Sequence, residues 1–510
     1  MGYQHGVLAR DLIHGYRERA YAYVESLLPG PAWATRPLLF YQAAAFWPTI
    51  PPDLAREMQG IADGAGVHPI EVLVSTAIWE MYLVSGCSEF AAVGPATASG
   101  ELLHGYNYDL MHPDHSLIQP FLAAIFYQPA RGIPFMTVNT VGSVGANAGM
   151  NEAGISVAWD NTYLRDGGLA QGIRGPAVPF IITLRQLLQH SQSLEEALDT
   201  VTDSLPRPLA DVIIVGSATE SRAVALETAG AEYAVREMEH GAIWSTNCFG
   251  SPELARYDRR GDGSGLGEAE ARQRFPRYCA YGELLSAERG QLTPSSAAAI
   301  LRDPYPREAK GYAWPVAAPR STICRDISSW SLVMEPGRGR LWASDVRLPG
   351  PQGRFYAFDL PARQRLPELD LAPSGYYAAQ RAAESFLEGD GVAARVALDE
   401  ALALDGETAP LLLMRAVLDG MAGEEQKAFQ VTRQVAERWD ESPPGALARA
   451  WLGSTLDRAS EASETSGVLT SAPPRIPFPS AIGPAFHLRP GDSWQARAGG
   501  VGVRVDVVIE

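Results

Sequence analysis

The chain has 510 residues, 46% of them hydrophobic and 20% charged, which excludes bulk disorder and exceeds what one ordinary core organises. A formal net charge of −17 excludes a globally basic surface for nucleic acid or anionic membrane, because phosphate binding needs clustered Lys and Arg. Four cysteines, Cys87, Cys248, Cys279 and Cys324, stand far apart with no CxxC spacing, so reduced thiols in a cytoplasmic protein are expected rather than a disulfide framework or structural zinc.

The N-terminal run "MGYQHGVLARDLIHGYRERAYAYVESLL" carries charges throughout and reads as an amphipathic helix rather than a signal peptide. No stretch approaches the roughly 20 apolar residues of a membrane span. Helical spacing continues through "PPDLAREMQGIADGAG" and "HPIEVLVSTAIWEMYLV". From Cys87 the texture changes to short strands: "EFAAVG", "LAAIFYQ", "PFMTVNTVG" and "GISVAWDN". Two helices, "VPFIITLRQLLQHS" and "SLEEALDTVTDSL", precede the strands "DVIIVGSA", "RAVALETAG" and "EYAVREME". The run "RRGDGSGLGEAEAR" reads as a loop leading into helices; it is no phosphate loop, since no Lys-Ser/Thr follows. "SSWSLVMEPGRGRLWASD" reads as a hairpin. Blocks of strands around helices, without βαβ alternation, predict a layered α+β domain.

After about residue 370 a period of 34 appears. Arg381-Ala382, Arg415-Ala416 and Arg449-Ala450 repeat at that offset, as do Gly389 with Gly423 and Ala394 with Ala428. Small residues at this period mark tetratricopeptide-like helical pairs, expected over 370–462. A Ser/Pro-rich linker and a final alternating strand, "GVGVRVDVVIE", fill 463–510.

The chemistry starts at Cys87. Cut before it, the chain would expose a thiol and an α-amine on one residue, and the amine, titrating at about 7.7–8.0, can take the thiol's proton. Gly86 offers no side chain to hinder attack on its own carbonyl. Downstream, "LLHGYNYDLM" puts Asn107 and Asp109 on one face of a strand. Asn151 lies in a turn between Gly149 and Gly154, Asn247 ends a strand, and Arg320 precedes another. Taken singly these are ordinary: Asp109 suits a turn, Asn151 and Asn247 suit αL positions, and Arg320 suits a surface ion pair. His104, His112 and His115 cluster near Asp109, but "HPDH" has no zinc spacing, so no metal is expected. Cys279 and Cys324 read as packing residues.

Together, in this order and spacing, the motifs resemble the autoproteolytic acyltransferase/hydrolase family of isopenicillin N acyltransferase. These are Cys-type N-terminal-nucleophile hydrolases, more distantly similar to bile salt hydrolases and penicillin V acylases. The resemblance runs from about Tyr3 to Asp345 and includes "EMQGIADGAGVHPIEVL", which looks like the segment before the cleavage point. It implies a four-layered αββα sandwich, with 1–86 as a helical α-chain or pro-segment and 87–365 as the catalytic core. It implies self-cleavage between Gly86 and Cys87, with Cys87 as nucleophile and Asp109 holding the new α-amine. The Asn151 backbone N–H and the Asn247 amide would donate to the oxyanion, and Arg320 would stand beside the thiol. Two positions depart from the pattern: Tyr106 stands where relatives often have Arg or Gln, and Cys248 where they often have His or another polar residue. Both are candidate substrate contacts.

The activity implied is hydrolysis of an N-acyl amide, or acyl transfer to an acceptor amine, without a cofactor. Bulky runs such as "FLAAIFY" and "AIWEMYLV" suggest an apolar acyl group, although such residues also build plain cores. The competing reading is a helical-repeat interaction protein, binding a partner or a second copy, with a vestigial or only self-processing catalytic domain.

Overall fold

The computed structural model describes residues 1–28, 30–81, 86–110, 118–162, 164, 178–206, 210–258, 265–304, 322–439, 445–453, 493–498 and 501–506. The chain divides into two compact units, one of residues 1–307 with 319–372, the other of 308–318 with 373–510.

The first unit begins with five helices, α1 (Gly2–Leu8), α2 (Arg10–Leu27), α3 (Ala32–Ala44), α4 (Pro52–Ala65) and α5 (Pro69–Met81). Pro52 opens α4, where its missing N–H has no intrahelical partner to lose. Gly66, at φ 74°, ends the helix in the left-handed region. α1 lies against α4 through glycines: a Cβ on Gly6 would stand 2.2 Å from the Ile61 carbonyl oxygen.

Two seven-stranded antiparallel sheets follow. One runs β10-β1-β2-β11-β12-β13-β14, from β1 (Ser88–Ala92), β2 (Leu103–Asp109), β10 (Ala242–Ser245), β11 (Ser328–Glu335), β12 (Arg340–Ser344), β13 (Phe355–Asp359) and β14 (Gln364–Arg365). The other runs β3 to β9 in chain order: β3 (Leu122–Tyr127), β4 (Phe135–Thr140), β5 (Gly149–Asn151), β6 (Ile155–Thr162), β7 (Ala210–Ser217), β8 (Arg222–Ala229) and β9 (Glu232–Glu237).

Strand alternation sorts the side chains into layers. Ala91 and Val93 meet Val212, Ile214 and Ala225 between the sheets. Phe90, Ala92 and Leu103 point the other way, against α8 (Gly265–Ala287) and α9 (Pro294–Leu301). α6 (Phe180–His190) and α7 (Leu194–Thr202) cover the far face of the second sheet, and the N-terminal helices share their core. The result is an α+β, four-layered αββα sandwich, the architecture the resemblance implied. The strand and helix runs read from the sequence coincide with these elements over the described residues, with two differences. The N-terminal run, expected as one helix, breaks at Ala9 into α1 and α2. α8 begins at Gly265, inside the expected loop, because "GLGEAEAR" is rich in the helix formers Ala and Glu.

The second unit carries two helical pairs, α10 (Tyr376–Leu387) with α11 (Gly391–Asp405), and α12 (Ala409–Met421) with α13 (Glu425–Arg438). Ala382 and Ala416 are buried, as are Ala394 and Ala428. Gly389 and Gly423 hold the matching left-handed turns at φ 82° and 80°. Ala450, the third position of the series, is exposed. A hairpin of β15 (Ser493–Ala498) and β16 (Val501–Asp506) also occurs, and the Ser/Pro-rich linker lies outside the described residues.

Candidate active site

Strand order decides what meets at Cys87. β2 lies between β1 and β11, so the end of β2 adjoins the residues before both neighbours. The Gly86 N–H donates to the Asp109 carbonyl at 2.9 Å, which ties the segment before β1 to the end of β2. Ser328 pairs with Asp109 beside an irregularity in the β2–β11 register, and its Oγ donates to Asp109 Oδ1 at 2.6 Å.

Asn107 and Asp109 do share a face. Asn107 donates to the Leu301 carbonyl at the end of α9, and Asp109 meets two arginines. Arg325 Nη1 lies 3.2 Å from Asp109 Oδ2 and donates to the Gly86 carbonyl at 3.2 Å. Arg277, from α8, donates through Nη1 to the Cys87 carbonyl at 3.0 Å and approaches the Gly86 carbonyl at 3.4 Å. Its Nη2 donates to Asn247 Oδ1 at 2.8 Å, and its guanidinium stands 3.8 Å from Asp109. Burial raises the Asp109 carboxyl above its usual range against the pull of both guanidiniums. Burial, then the charge of Arg325, brings Arg277 down to about 10, so it stays cationic at neutral pH.

The other face of β2 carries Tyr106, whose hydroxyl donates to Cys87 Sγ at 3.3 Å. Burial, then the neighbouring Cys87, pushes this phenol well above its ordinary range, so it is a neutral donor. Cys87 itself is fully buried.

Asn247 follows β10 with φ 63°, a left-handed backbone that Asn adopts more readily than other side-chain-bearing residues. Its N–H donates to Asp160 Oδ2 at 3.1 Å, and its amide Nδ2 to the Asn161 carbonyl at 2.8 Å. Burial raises Asp160 to about 7, and burial plus the charge of Asp160 raises Glu89 well above the carboxylate range. His104 lies 3.5 Å from Glu89 and bonds Ser156 Oγ at 3.0 Å. Burial lowers His104 to about 3, so the imidazole is neutral and its contact with Glu89 is no ion pair.

Cys87, Tyr106, Asp109 and Asn247 thus form one network through Arg277 and Arg325. Asn151 stands in the other sheet on β5. Its side chain donates to the Leu188 and Ser191 carbonyls and accepts from the Ala153 and Ile155 N–H groups, which builds the turn, while the oxyanion role expected of Asn151 concerns its backbone N–H. Cys248 is buried with its sulfur 3.8 Å from Thr246 Oγ1. Arg320, His112 and His115 lie outside the described residues. Among the described residues no three His, Cys, Asp or Glu side chains are placed to hold a metal, and no helix is long and apolar enough to cross a membrane.

Four participants went unnoticed in the sequence. Arg325 stands five residues after Arg320 in the same run, and Asp160-Asn161 close the quoted strand "GISVAWDN". Arg277 had no local signal.

The two-sheet fold is the one the resemblance implied. Residues 97–307 match the family model described as acyl-coenzyme A:6-aminopenicillanic acid acyl-transferase, the family the motifs resemble. An uncharacterized protein of Archaeoglobus fulgidus is 26% identical over 280 residues, covering 47% of this chain and 43% of that protein. Protein dcd1B of Dictyostelium discoideum is 24% identical over 250 residues, covering 44% and 48%. The chain therefore spans less than half the length of these curated relatives. Among solved structures, the Caenorhabditis elegans N-acylethanolamine-hydrolyzing acid amidase ortholog is 17% identical with a TM-score of 0.35, covering 54% of this chain and all of that one. A conjugated bile acid hydrolase mutant from Clostridium perfringens is 14% identical with a TM-score of 0.34, covering 54% and 93%.

Proposed function

We propose that the chain cuts itself between Gly86 and Cys87, and that the freed cysteine then hydrolyses an N-acyl amide or passes its acyl group to an acceptor amine. The observation that carries this reading is the cationic grip on the Gly86–Cys87 peptide. Arg325 and Arg277 approach the Gly86 oxygen at 3.2 and 3.4 Å, where negative charge would grow if the Cys87 sulfur attacked that carbonyl. The carbon–nitrogen bond then breaks, a thioester joins Gly86 to the sulfur, and the Cys87 nitrogen leaves as an amine. Water opens the thioester, giving a Gly86 carboxylate and a free thiol. Residues 1–86 become one chain and Cys87 the start of the other.

In turnover the Cys87 amine, near Asp109, takes the thiol proton. The sulfur attacks the substrate's acyl carbon, the oxyanion accepts from the Asn247 amide, and the amine returns the proton to the leaving group. Two guanidiniums against one carboxylate leave the network net positive, which favours a thiolate. Water or an amine then captures the acyl-enzyme. The helical pairs of the second unit are read as tetratricopeptide-like repeats that take a protein partner or a second copy.

Intact mass under denaturing conditions tests the first act. Wild type should give two fragments split at Gly86/Cys87, and Cys87→Ala one uncut chain; a wild type that stays uncut on prolonged incubation overturns the reading. For the second act, Asn247→Ala should lower turnover by about 10²–10³, the worth of one oxyanion donor.

A further inference from the structure

The peptide before β1 and the Cys87 side chain look to opposite sides of the first sheet. Ser88 and Asn107 are register partners, and Ser88 Oγ meets the Tyr281 hydroxyl of α8 at 3.0 Å, so their face looks to the helices. Asp109 shares that face, and from it Arg277 and Arg325 reach the carbonyl oxygens of Cys87 and Gly86. Glu89 and Tyr106 are register partners on the opposite face, between the sheets, and the Cys87 side chain lies there too. Its Sγ accepts from the Tyr106 hydroxyl at 3.3 Å. The cations therefore grip the peptide from one side, and a neutral phenol meets the sulfur from the other.

Packing fixes that phenol. Trp330 on β11 meets the Tyr106 ring edge-on, with centroids 5.3 Å apart, and Tyr108 stacks on Trp330 at 5.5 Å. All three rings are buried, where a tyrosine hydroxyl needs a partner, and the sulfur supplies an acceptor. A thiol accepts weakly, whereas a thiolate is a charged acceptor, so this bond strengthens as the proton leaves the sulfur. The titratable groups around the pair are Glu89 on β1, His104 and Tyr108 on β2 and Asp160 on β6, with Asp109, Arg277 and Arg325 on the peptide side. The N-terminal helices join the same core through apolar side chains, Val72 and Ile78 among them.

Resting on the nucleophile reading above, we propose that Tyr106 is a catalytic residue: its hydroxyl stabilises the Cys87 thiolate by direct donation, from the face of the sheet away from the two guanidiniums. Tyr106 gives up no proton in this role. In self-cutting the thiol proton ends on the Cys87 nitrogen, which leaves as an amine. In turnover it passes to the Cys87 amine and then to the leaving group. The phenol keeps its own proton throughout, and its bond is strongest while the sulfur carries charge. This role differs from a substrate contact, because it is exerted on the sulfur before any substrate is bound.

The test compares wild type with Tyr106→Phe, which keeps the ring and removes the donor. A third chain carries a fluorinated tyrosine at the same position, a stronger donor of nearly the same shape. Thiolate ultraviolet absorbance is followed against pH, and the same chain with Cys87→Ala is subtracted so that Cys248, Cys279, Cys324 and the tyrosines cancel. A donor to a charged acceptor moves a titration by about one to two pH units. Tyr106→Phe should therefore raise the Cys87 midpoint by about one pH unit or more and slow self-cutting about tenfold near neutral pH, with unchanged circular dichroism. The fluorinated tyrosine should lower the midpoint instead. Midpoints that coincide in all three chains would overturn the role, whatever happens to turnover. If Tyr106→Phe does not fold, the fluorinated chain decides alone: a midpoint equal to wild type overturns the role. An uncut wild type with no titration traceable to Cys87 would instead overturn the nucleophile reading, and the role of Tyr106 with it.

Discussion

The bond from Arg277 to Asn247 joins the element that carries the oxyanion donor to the peptide before β1, and its strength can be measured. Both side chains are buried, and the contact is a charged donor on an amide oxygen at 2.8 Å. Such bonds contribute about 1.5–3 kcal/mol. Arg277→Met also removes the donor to the Cys87 carbonyl. It does not strand Asp109, which keeps Arg325 at 3.2 Å and Ser328 at 2.6 Å. The loss should therefore lie near 2–4 kcal/mol, toward the lower part of the range for breaking a buried ion pair. Asn247→Ala adds the strain of an alanine at φ 63°, but that term enters the single and double variants alike and cancels in a double-mutant cycle. Urea unfolding of the four proteins, all in a Cys87→Ala background so that every chain stays whole, should give a coupling of about 2 kcal/mol. A coupling below about 0.5 kcal/mol would mean the two sites are independent, and the network described here would not hold Asn247 in place.

Asp160 gives a pH dependence with a definite sign. Its carboxyl is raised from 3.8 to about 7, so the folded chain keeps a proton that the unfolded chain releases from about pH 4. Stability should fall as pH rises from about 4 to 7, by up to about 4 kcal/mol at 1.36 kcal/mol per unit. Asp160→Asn should flatten the melting profile across that window; parallel profiles would refute the assignment. In the N-terminal helices, Gly6→Val would press a side chain into the Ile61 carbonyl and should speed amide exchange over residues 2–8 at least tenfold. Gly391→Ala meets nothing within 4 Å and should be neutral or stabilising by up to about 1 kcal/mol. Unchanged exchange in Gly6→Val would remove the close-packing account of α1 on α4.

The layers were legible because each strand obeys its period. Phe90 and Ala92 face the helices while Ala91 and Val93 face the other sheet, an alternation readable in "EFAAVG" without a partner in view. The pairs of the second unit were legible for a related reason: Ala382 and Ala416, and Ala394 and Ala428, are all buried, and Ala382 and Ala394 share one core cluster. The limit of that logic is Ala450, which keeps the spacing but is exposed, so spacing alone did not establish a third buried alanine. In the catalytic unit the turn between glycines that holds Asn151 was visible too, and its side chain builds that turn through the Leu188 and Ser191 carbonyls.

Arg325 and Arg277 were illegible for two different physical reasons. Arg325 lies 239 positions from Gly86 in sequence, but it precedes β11, and once β11 is known to pair with β2 the residues before it must adjoin the end of β2, where Asp109 sits. Strand order would have found it. Arg277 reaches Cys87 across 190 positions from a helix laid over the sheet, and no register fixes where a helical side chain lands. Composition pointed the other way as well, since a chain of net charge −17 gives no hint of two guanidiniums and one carboxylate around a single peptide bond. Burial reconciles the two. Exposed acidic groups set the global sum and interact with the site only through screening solvent, whereas the few charges inside act at 3–4 Å with little screening. A local positive field around Cys87 is therefore compatible with an acidic protein, and it depends on the packing of α8 against the sheet, not on the overall charge.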